Sequence, residues 1–282
     1  MKFKRLFGAV AGLCLLLTLT AAQAAEKVVW AKSLDAAMTE AKKSNKLVMI
    51  DFYTDWCHWC KVLDEKTYSD ARVGKAATQV VAVKVNAEKE GVEAAKKYKV
   101  QGYPTIMFIA PDGSVAGQIG GYAPPEPFIV EMNKFVMAHK ELPALEAKAA
   151  SGKADATTLA KLTAIYAGKN DVNRTGATLA KLEQAGSGQA GAHLAKAYNS
   201  AGDMYQTAQQ FDKAIPLFQK AAKASKTPYE KAYAHISSAV CYFSTGKNKQ
   251  AIPDLKAILA MPKPPAEMKQ QAQQMLTVAN KR

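Results

Sequence analysis

Val48-Met49-Ile50-Asp51-Phe52-Tyr53-Thr54-Asp55-Trp56-Cys57-His58-Trp59-Cys60-Lys61 is the stretch that decides how this 282-residue chain folds. Its first half is a dense apolar run, residues 47–53, interrupted by the single acid Asp51, as expected for a strand buried on both faces. Its second half sets two cysteines three residues apart where that strand gives way to a predicted helix, residues 56–68. Unpaired backbone N–H groups and the helix dipole favour an anion there, and the thiolate is the form of cysteine that attacks a disulfide. Cys60 falls one turn deeper on the same face, within disulfide reach of Cys57. The geometry therefore assigns Cys57 as the exposed attacking sulfur and Cys60 as the resolving sulfur that breaks a mixed disulfide.

Working outward, Ser33 is a plausible N-cap for a helix over 33–45, whose Leu34, Ala37, Met38 and Ala41 recur at helical spacing. Residues 80–85 form a second β-branched run, and 90–98 a short helix. Gly102-Tyr103-Pro104 breaks the chain before a third strand, 105–110. Pro111-Asp112-Gly113 is a turn signal joining it to a fourth strand near 115–119. An amphipathic helix over 128–139 closes the unit. This order predicts an α/β fold, a mixed sheet with helices on both faces.

These residues together resemble the thioredoxin superfamily over about 30–139. The quoted stretch is similar to the family's strand-to-active-helix segment, including the acid six residues before the first cysteine; Gly102-Tyr103-Pro104-Thr105 is similar to its cis-proline loop, and Gly120-Gly121 to its later glycine turn. The resemblance implies a cis bond before Pro104, with the Tyr103 backbone free to pair with an incoming peptide; the other reading is a trans proline that starts a strand. It also implies that Asp51 is a buried acid with a high pKa that accepts the Cys60 proton, against a carboxylate reaching solvent at the strand end. Asp64, four residues after Cys60, together with Asp51 and the run Glu65-Lys66-Thr67-Tyr68-Ser69-Asp70, resembles the C-terminal thioredoxin-like domain of the transmembrane disulfide-reductase family. That domain usually carries Glu at the Asp64 position, and a solvated helix acid is the competing reading. Lys84 aligns with the lysine that neighbours the family's buried acid. Cys57, Cys60, Asp51 and Asp64 are thus the candidate catalytic residues, and Trp56, His58, Trp59, Tyr103 and Pro104 the candidate substrate-binding ones. A protonated His58 would favour thiolate and oxidant behaviour, whereas a neutral exposed one would not, so it assigns no direction.

From about residue 142 alanine and lysine rise and every segment reads as helix. Ala214-Ile215-Pro216 recurs as Ala251-Ile252-Pro253, and Tyr205 as Tyr242, each 37 residues on. With Tyr198, Gly202, Phe211, Phe218 and Ala221 in the first unit and Ala239, Gly246 and Leu255 in the second, the pattern resembles the tetratricopeptide repeat. His235 and Asn248 stand where bulky packing residues are usual. A degenerate earlier unit around Tyr166 and Ala177 and a closing helix, 265–280, would supply the neighbours such repeats need; a generic helical bundle is the alternative.

The first residues set the context. Lys2, Lys4 and Arg5 precede an apolar run over 6–19 and the small-residue site Ala22-Gln23-Ala24, the layout of a signal peptide over 1–24. The run is shorter than the roughly 20 residues that cross a bilayer, and no later stretch is apolar enough, so the expectation is export without a stable membrane span, to the periplasm if the source is Gram-negative. Removal of 1–24 discards Cys14 and lowers the formal charge from +14 to +11. The lysines are scattered along helix-like segments, which argues against nucleic acid and for solvated faces. Only Cys57, Cys60 and Cys241 remain, too few for a disulfide scaffold, and Cys241 reads as a buried, inert thiol.

The expected architecture is a thioredoxin-like domain over 25–140 and an all-α repeat domain over 141–282. The expected function is thiol:disulfide exchange with protein substrates, as reductase or isomerase, with no metal or organic cofactor. The expected partners are proteins bearing thiols or disulfides, a redox partner that regenerates the pair, and a protein client on the helical repeats. A closed zinc site lacks its second ligand pair. The rival from another class is a helical-repeat scaffold whose thioredoxin-like domain docks partners without turnover.

Overall fold

The computed structural model describes residues 27–185 and 187–281. The expected signal peptide, and Cys14 within it, lie outside the described residues. Strand β1 (Val48–Tyr53) pairs in parallel with β2 (Val81–Asn86) and antiparallel with β3 (Thr105–Ile109), which carries β4 (Val115–Gly120) on its other edge. The order β2-β1-β3-β4 makes β1 a central strand. Alternation then splits its side chains between two cores. Val48, Ile50 and Phe52 pack with Ala37 and Ala41 of helix α1 (Leu34–Ser44) and with Ala95 of α4 (Val92–Lys97). Leu47 and Met49 face the opposite core, with Leu63 of α2 (His58–Leu63), Val73 of α3 (Ala71–Ala77), and Phe128 and Met132 of α5 (Pro125–Ala150). Asp51 shares the parity of Leu47 and Met49, so its carboxyl enters this second core, beneath α2. Helices on both faces and a mixed sheet form the thioredoxin fold.

Three local elements differ from the sequence expectation. The helix predicted over 56–68 begins only at His58 and widens into a π-helical turn, Asp64–Tyr68. Helix α3 was not legible, because Gly74 weakens its helical pattern; Asp70 starts it by accepting a hydrogen bond from the Arg72 N–H at 2.8 Å. Helix α5, predicted over 128–139, runs on to Ala150 even though Pro143 removes a helical donor. Its continuation is anchored by Leu145, packed with Leu162 and Tyr166. Near the sheet, α5 lies close because Gly117 of β4 has no Cβ: one there would come within 2.1 Å of the Phe135 ring.

The rest of the described chain is helical: α6 (Ala156–Gly168), α7 (Val172–Gln184), α8 (Ser187–Thr207), α9 (Phe211–Ala224), α10 (Pro228–Ser244), a 3-10 turn (Asn248–Ala251), α11 (Ile252–Leu259) and α12 (Ala266–Lys281). Each helix packs on the next, and α6 also packs on α8. The 37-residue offset maps buried positions onto buried positions: Ala214 and Ala251, Phe218 and Leu255, Ala221 and Ile258. In the earlier unit Tyr166 is buried but Ala177 is exposed, so only one of those two packs. His235 is matched by polar neighbours: its Nδ1 lies 2.7 Å from Asp254 Oδ1, and Ser238 donates to Asp254 Oδ2 at 2.7 Å. The two parts touch where Lys169, the C-cap of α6, donates to the Ser114 hydroxyl at 3.0 Å.

Small residues set the helix spacing. A Cβ on Gly202 of α8 would lie 2.6 Å from the fully buried Phe218 ring, whereas one on Gly176 of α7 would meet open space. Gly202→Ala is expected to lower stability by about 1–2 kcal/mol through overpacking, and Gly176→Ala to raise it by up to about 1 kcal/mol through helix propensity. Urea unfolding followed by circular dichroism checks this; midpoints moving in the same direction would contradict the packing argument.

Candidate active site

The site forms where β1 and β2 end. The chain leaves β1 at Tyr53, and Thr54 O accepts from the Cys57 N–H at 3.2 Å, a tight turn that delivers Cys57 to the N-cap of α2. Its Sγ receives the Cys60 backbone N–H at 3.1 Å. A sulfur in this position faces the positive end of a helix, the environment that favours thiolate when the pair is reduced. Cys57 and Cys60 are joined by a disulfide. They are 5% and 3% exposed, so the expectation of an openly exposed Cys57 is corrected to a nearly closed sulfur.

Trp56 and Trp59 flank Cys57 in sequence and are 68% and 54% exposed. Trp56 stands edge-on to Tyr103, with centroids 6.1 Å apart, and its Nε1 donates to the Glu88 carboxylate at 3.0 Å. Trp59 stacks on Tyr122 at 5.7 Å and meets the exposed His58 ring at 5.4 Å. Trp59, Tyr103, Gly121 and Tyr122 line a shallow cavity of about 340 Å³ beside the motif. The Tyr103–Pro104 bond is cis, and Pro104 is buried. Gly121, at φ 75°, donates its N–H to Pro104 O at 2.8 Å, tying the glycine turn to the proline loop. Among the described residues, Tyr103 makes no backbone hydrogen bond through its own N–H or carbonyl, which leaves a free edge for an extended peptide.

Beneath the cysteines, Asp51 is fully buried, and neither carboxylate oxygen has a hydrogen-bond partner among the described residues. Lys84, its register partner on β2, approaches to 3.6 Å, while Ile106 of β3 covers the other side. Burial pushes the Asp51 carboxyl up to about 7; Lys84 pulls it down, and Asp64 pushes it further up. Asp64 is half-exposed and pairs with the same Lys84 ammonium. Asp64, a candidate catalytic acid in the sequence, is thus linked to Asp51 through Lys84. Cys241 lies in the buried helical core, its thiol pushed up to about 11 by burial. No group of three or more His, Cys, Asp or Glu among the described residues is placed to hold a metal ion.

Sequence reasoning missed Glu88, Tyr122 and the hydroxyl of Tyr68. Glu88 follows the end of β2, where strand ends of an α/β sheet gather functional groups, a signal that topology alone offered. Tyr122 follows the Gly120-Gly121 turn, but nothing local said that it would reach Trp59.

A family model described as a thioredoxin-like domain matches residues 34–135. The chain is 28% identical over 113 residues to a protein of Ralstonia nicotianae named thiol:disulfide interchange protein DsbD, covering 39% of this chain and 19% of that one. It is 39% identical over 83 residues to the Escherichia coli protein of the same name, covering 28% and 14%. The chain therefore spans less than a fifth of the length of these curated relatives. Among solved structures it is similar to the oxidised C-terminal domain of DsbD from Neisseria meningitidis, at 28% identity and a TM-score of 0.33, covering 38% of this chain and 97% of that one.

Asp51 makes stability depend on pH. Its ordinary value is 3.8 and its folded value about 7, so between these the folded chain holds a proton that the unfolded chain has released. Stability then falls as pH rises through this window, and the loss is complete above it. Asp51→Asn removes the effect. In the oxidised protein it is expected to gain a few kcal/mol over wild type at about pH 8, since each pH unit separating the folded and unfolded values contributes about 1.4 kcal/mol, and to match it at about pH 4. Melting temperatures at both pH values check this; an equal difference at each would refute it.

Proposed function

Because residues 34–135 belong to the thioredoxin superfamily, we propose that the protein is an exported thiol:disulfide oxidoreductase that exchanges disulfides with protein substrates. The observation that carries this reading is the Cys57–Cys60 disulfide at the N-terminus of α2, above a buried acid that titrates near neutrality. In the reduced protein the Cys57 thiolate attacks a substrate disulfide. A mixed disulfide forms and one substrate sulfur leaves as thiolate. The Asp51 carboxylate takes the Cys60 proton, and the Cys60 sulfur attacks Cys57 Sγ. The second substrate sulfur departs, two electrons have passed to the substrate, and the protein disulfide is restored. A base with a pKa of about 7 suits this transfer, since it is partly ionised at working pH. A redox partner, itself a dithiol, must then return two electrons to the pair.

Trp56, His58, Trp59 and the Tyr103-Pro104 edge are proposed to contact the substrate segment, the free backbone of Tyr103 pairing with it as a strand. The name that the relatives carry, thiol:disulfide interchange, supports exchange in either direction. Reduction or isomerisation fits the similarity at Asp51 and Asp64, with the helical repeats holding a protein client. Export rests on the basic and apolar pattern of residues 1–24, and among the described residues no helix is long and apolar enough to cross a membrane. The division into residues 25–140 and 141–282 belongs to the same proposal, supported by separate apolar cores on either side.

Purified protein is expected to accelerate insulin reduction by dithiothreitol, with Cys57→Ala at the uncatalysed rate. Cys60→Ala is expected to accumulate a mixed disulfide with clients, visible on non-reducing gels. Full function in a Cys57→Ala strain would instead favour the docking scaffold. Equilibration with glutathione sets the direction, because about 30 mV changes this two-electron balance tenfold.

A further inference from the structure

Tyr68 is a buried phenol with no assigned work. It is 5% exposed, and its hydroxyl, like both oxygens of Asp51, is enclosed without a hydrogen-bond partner among the described residues. Phenylalanine would fill the same space without burying a polar atom, which costs roughly 1–3 kcal/mol when unpaired. Its ring is gripped edge-on by Trp30 at 4.9 Å and by Phe128 at 5.6 Å, so it cannot swing to water. The π-helical turn explains how it gets there. At about 100° per residue, an α-helix would carry the eighth residue after Cys60 roughly 80° away from the face of that cysteine. The wider turn over Asp64–Tyr68 absorbs this rotation and keeps Asp64 and Tyr68 on the side of Asp51.

Both residues meet the same cation. Lys84 pairs with Asp64 and stands 5.7, 5.5 and 5.2 Å from the rings of Tyr68, Trp30 and Tyr53. The groups facing Asp51 are thus Lys84 from β2, Asp64 and Tyr68 from the π-helical turn, and apolar Ile106 from β3. Tyr68 offers a neutral donor to this carboxyl, as does the Cys60 thiol of α2 in the reduced protein.

We propose that Tyr68 is a positioning residue whose hydroxyl donates to the Asp51 carboxylate, directly or through one enclosed water, and so holds the group that takes the Cys60 proton. This rests on the reading of Asp51 as that acceptor. Burial raises both groups most; beside it the hydroxyl lowers the carboxyl and Asp51 raises the phenol further, as a bond from a neutral donor to a carboxylate requires.

The test uses the full chain with Tyr68→Phe and Asp51→Asn side by side. The pH dependence of insulin reduction and the NMR titration of the Asp51 carboxyl carbon are followed. Tyr68→Phe keeps the ring cluster, and its melting temperature reports folding independently. The expected result is an Asp51 titration moved up by about one pH unit, equivalent to a tenfold change in ionisation. The inflection of the rate profile should move with it, and Asp51→Asn should abolish that inflection. If Asp51→Asn abolishes the inflection but Tyr68→Phe leaves both curves in place, the role of Tyr68 is overturned and that of Asp51 stands. If the inflection survives in Asp51→Asn, the acceptor reading fails and the positioning role fails with it.

Discussion

The carboxyl of Asp51, buried in an apolar core, is the constraint around which this site is arranged. Removing a carboxylate from water costs several kcal/mol even after the protein relaxes. A lysine at 3.6 Å returns about 4–5 kcal/mol at an effective dielectric near 20. Burial is the larger effect, and Asp64 adds to it by sharing the Lys84 ammonium and supplying a second negative charge. The result is an acid that changes charge near neutrality, which neither a solvated aspartate nor a fully paired one would do.

That position follows from the sheet. Central β1 must be apolar on both faces, and its parity puts Asp51 in the same core as Met49, under the helix that carries the cysteines. The register with β2 brings Lys84 opposite it, and the register with β3 closes the other side with Ile106. The π-helical turn then directs Asp64 and Tyr68 back over the pair. A one-residue slip in the β1–β2 register would exchange Lys84 for Val83 or Val85 opposite Asp51. Above this layer, the exposed Trp56 and Trp59 and the free edge of Tyr103 present an aromatic, adaptable surface. A polypeptide can lie there without the site demanding one side chain.

The helical part obeys a different rule. Its cores combine alanine with leucine, isoleucine and aromatics, and Phe218 fills the space left by the missing side chain of Gly202. Contacts run between neighbouring helices, so each helix depends on those beside it rather than on one central core. Where the repeat pattern places a polar residue inside, a compensating network is present: His235, Asp254 and Ser238 satisfy one another.

Much of this was written in local sequence. The apolar run with one acid, the cysteine spacing, Gly102-Tyr103-Pro104 and the 37-residue echo all depend on residues near one another in the chain, where periodicity and turn chemistry act directly. They determined the strand-to-helix site, the order of the sheet elements and the change to an all-α region. Tertiary structure alone decided the rest. Helix α5 continues through Pro143 because Leu145 finds a core on α6, and the segment after Cys60 widens into a π turn because Asp64 and Tyr68 both meet Lys84. Trp59 reaches Tyr122, and Trp56 reaches Glu88, only once separate loops are folded to one end of the sheet. Such pairings join residues more than thirty positions apart, and no local pattern encodes which distant group will stand opposite a given side chain; the sheet registers and helix packing do.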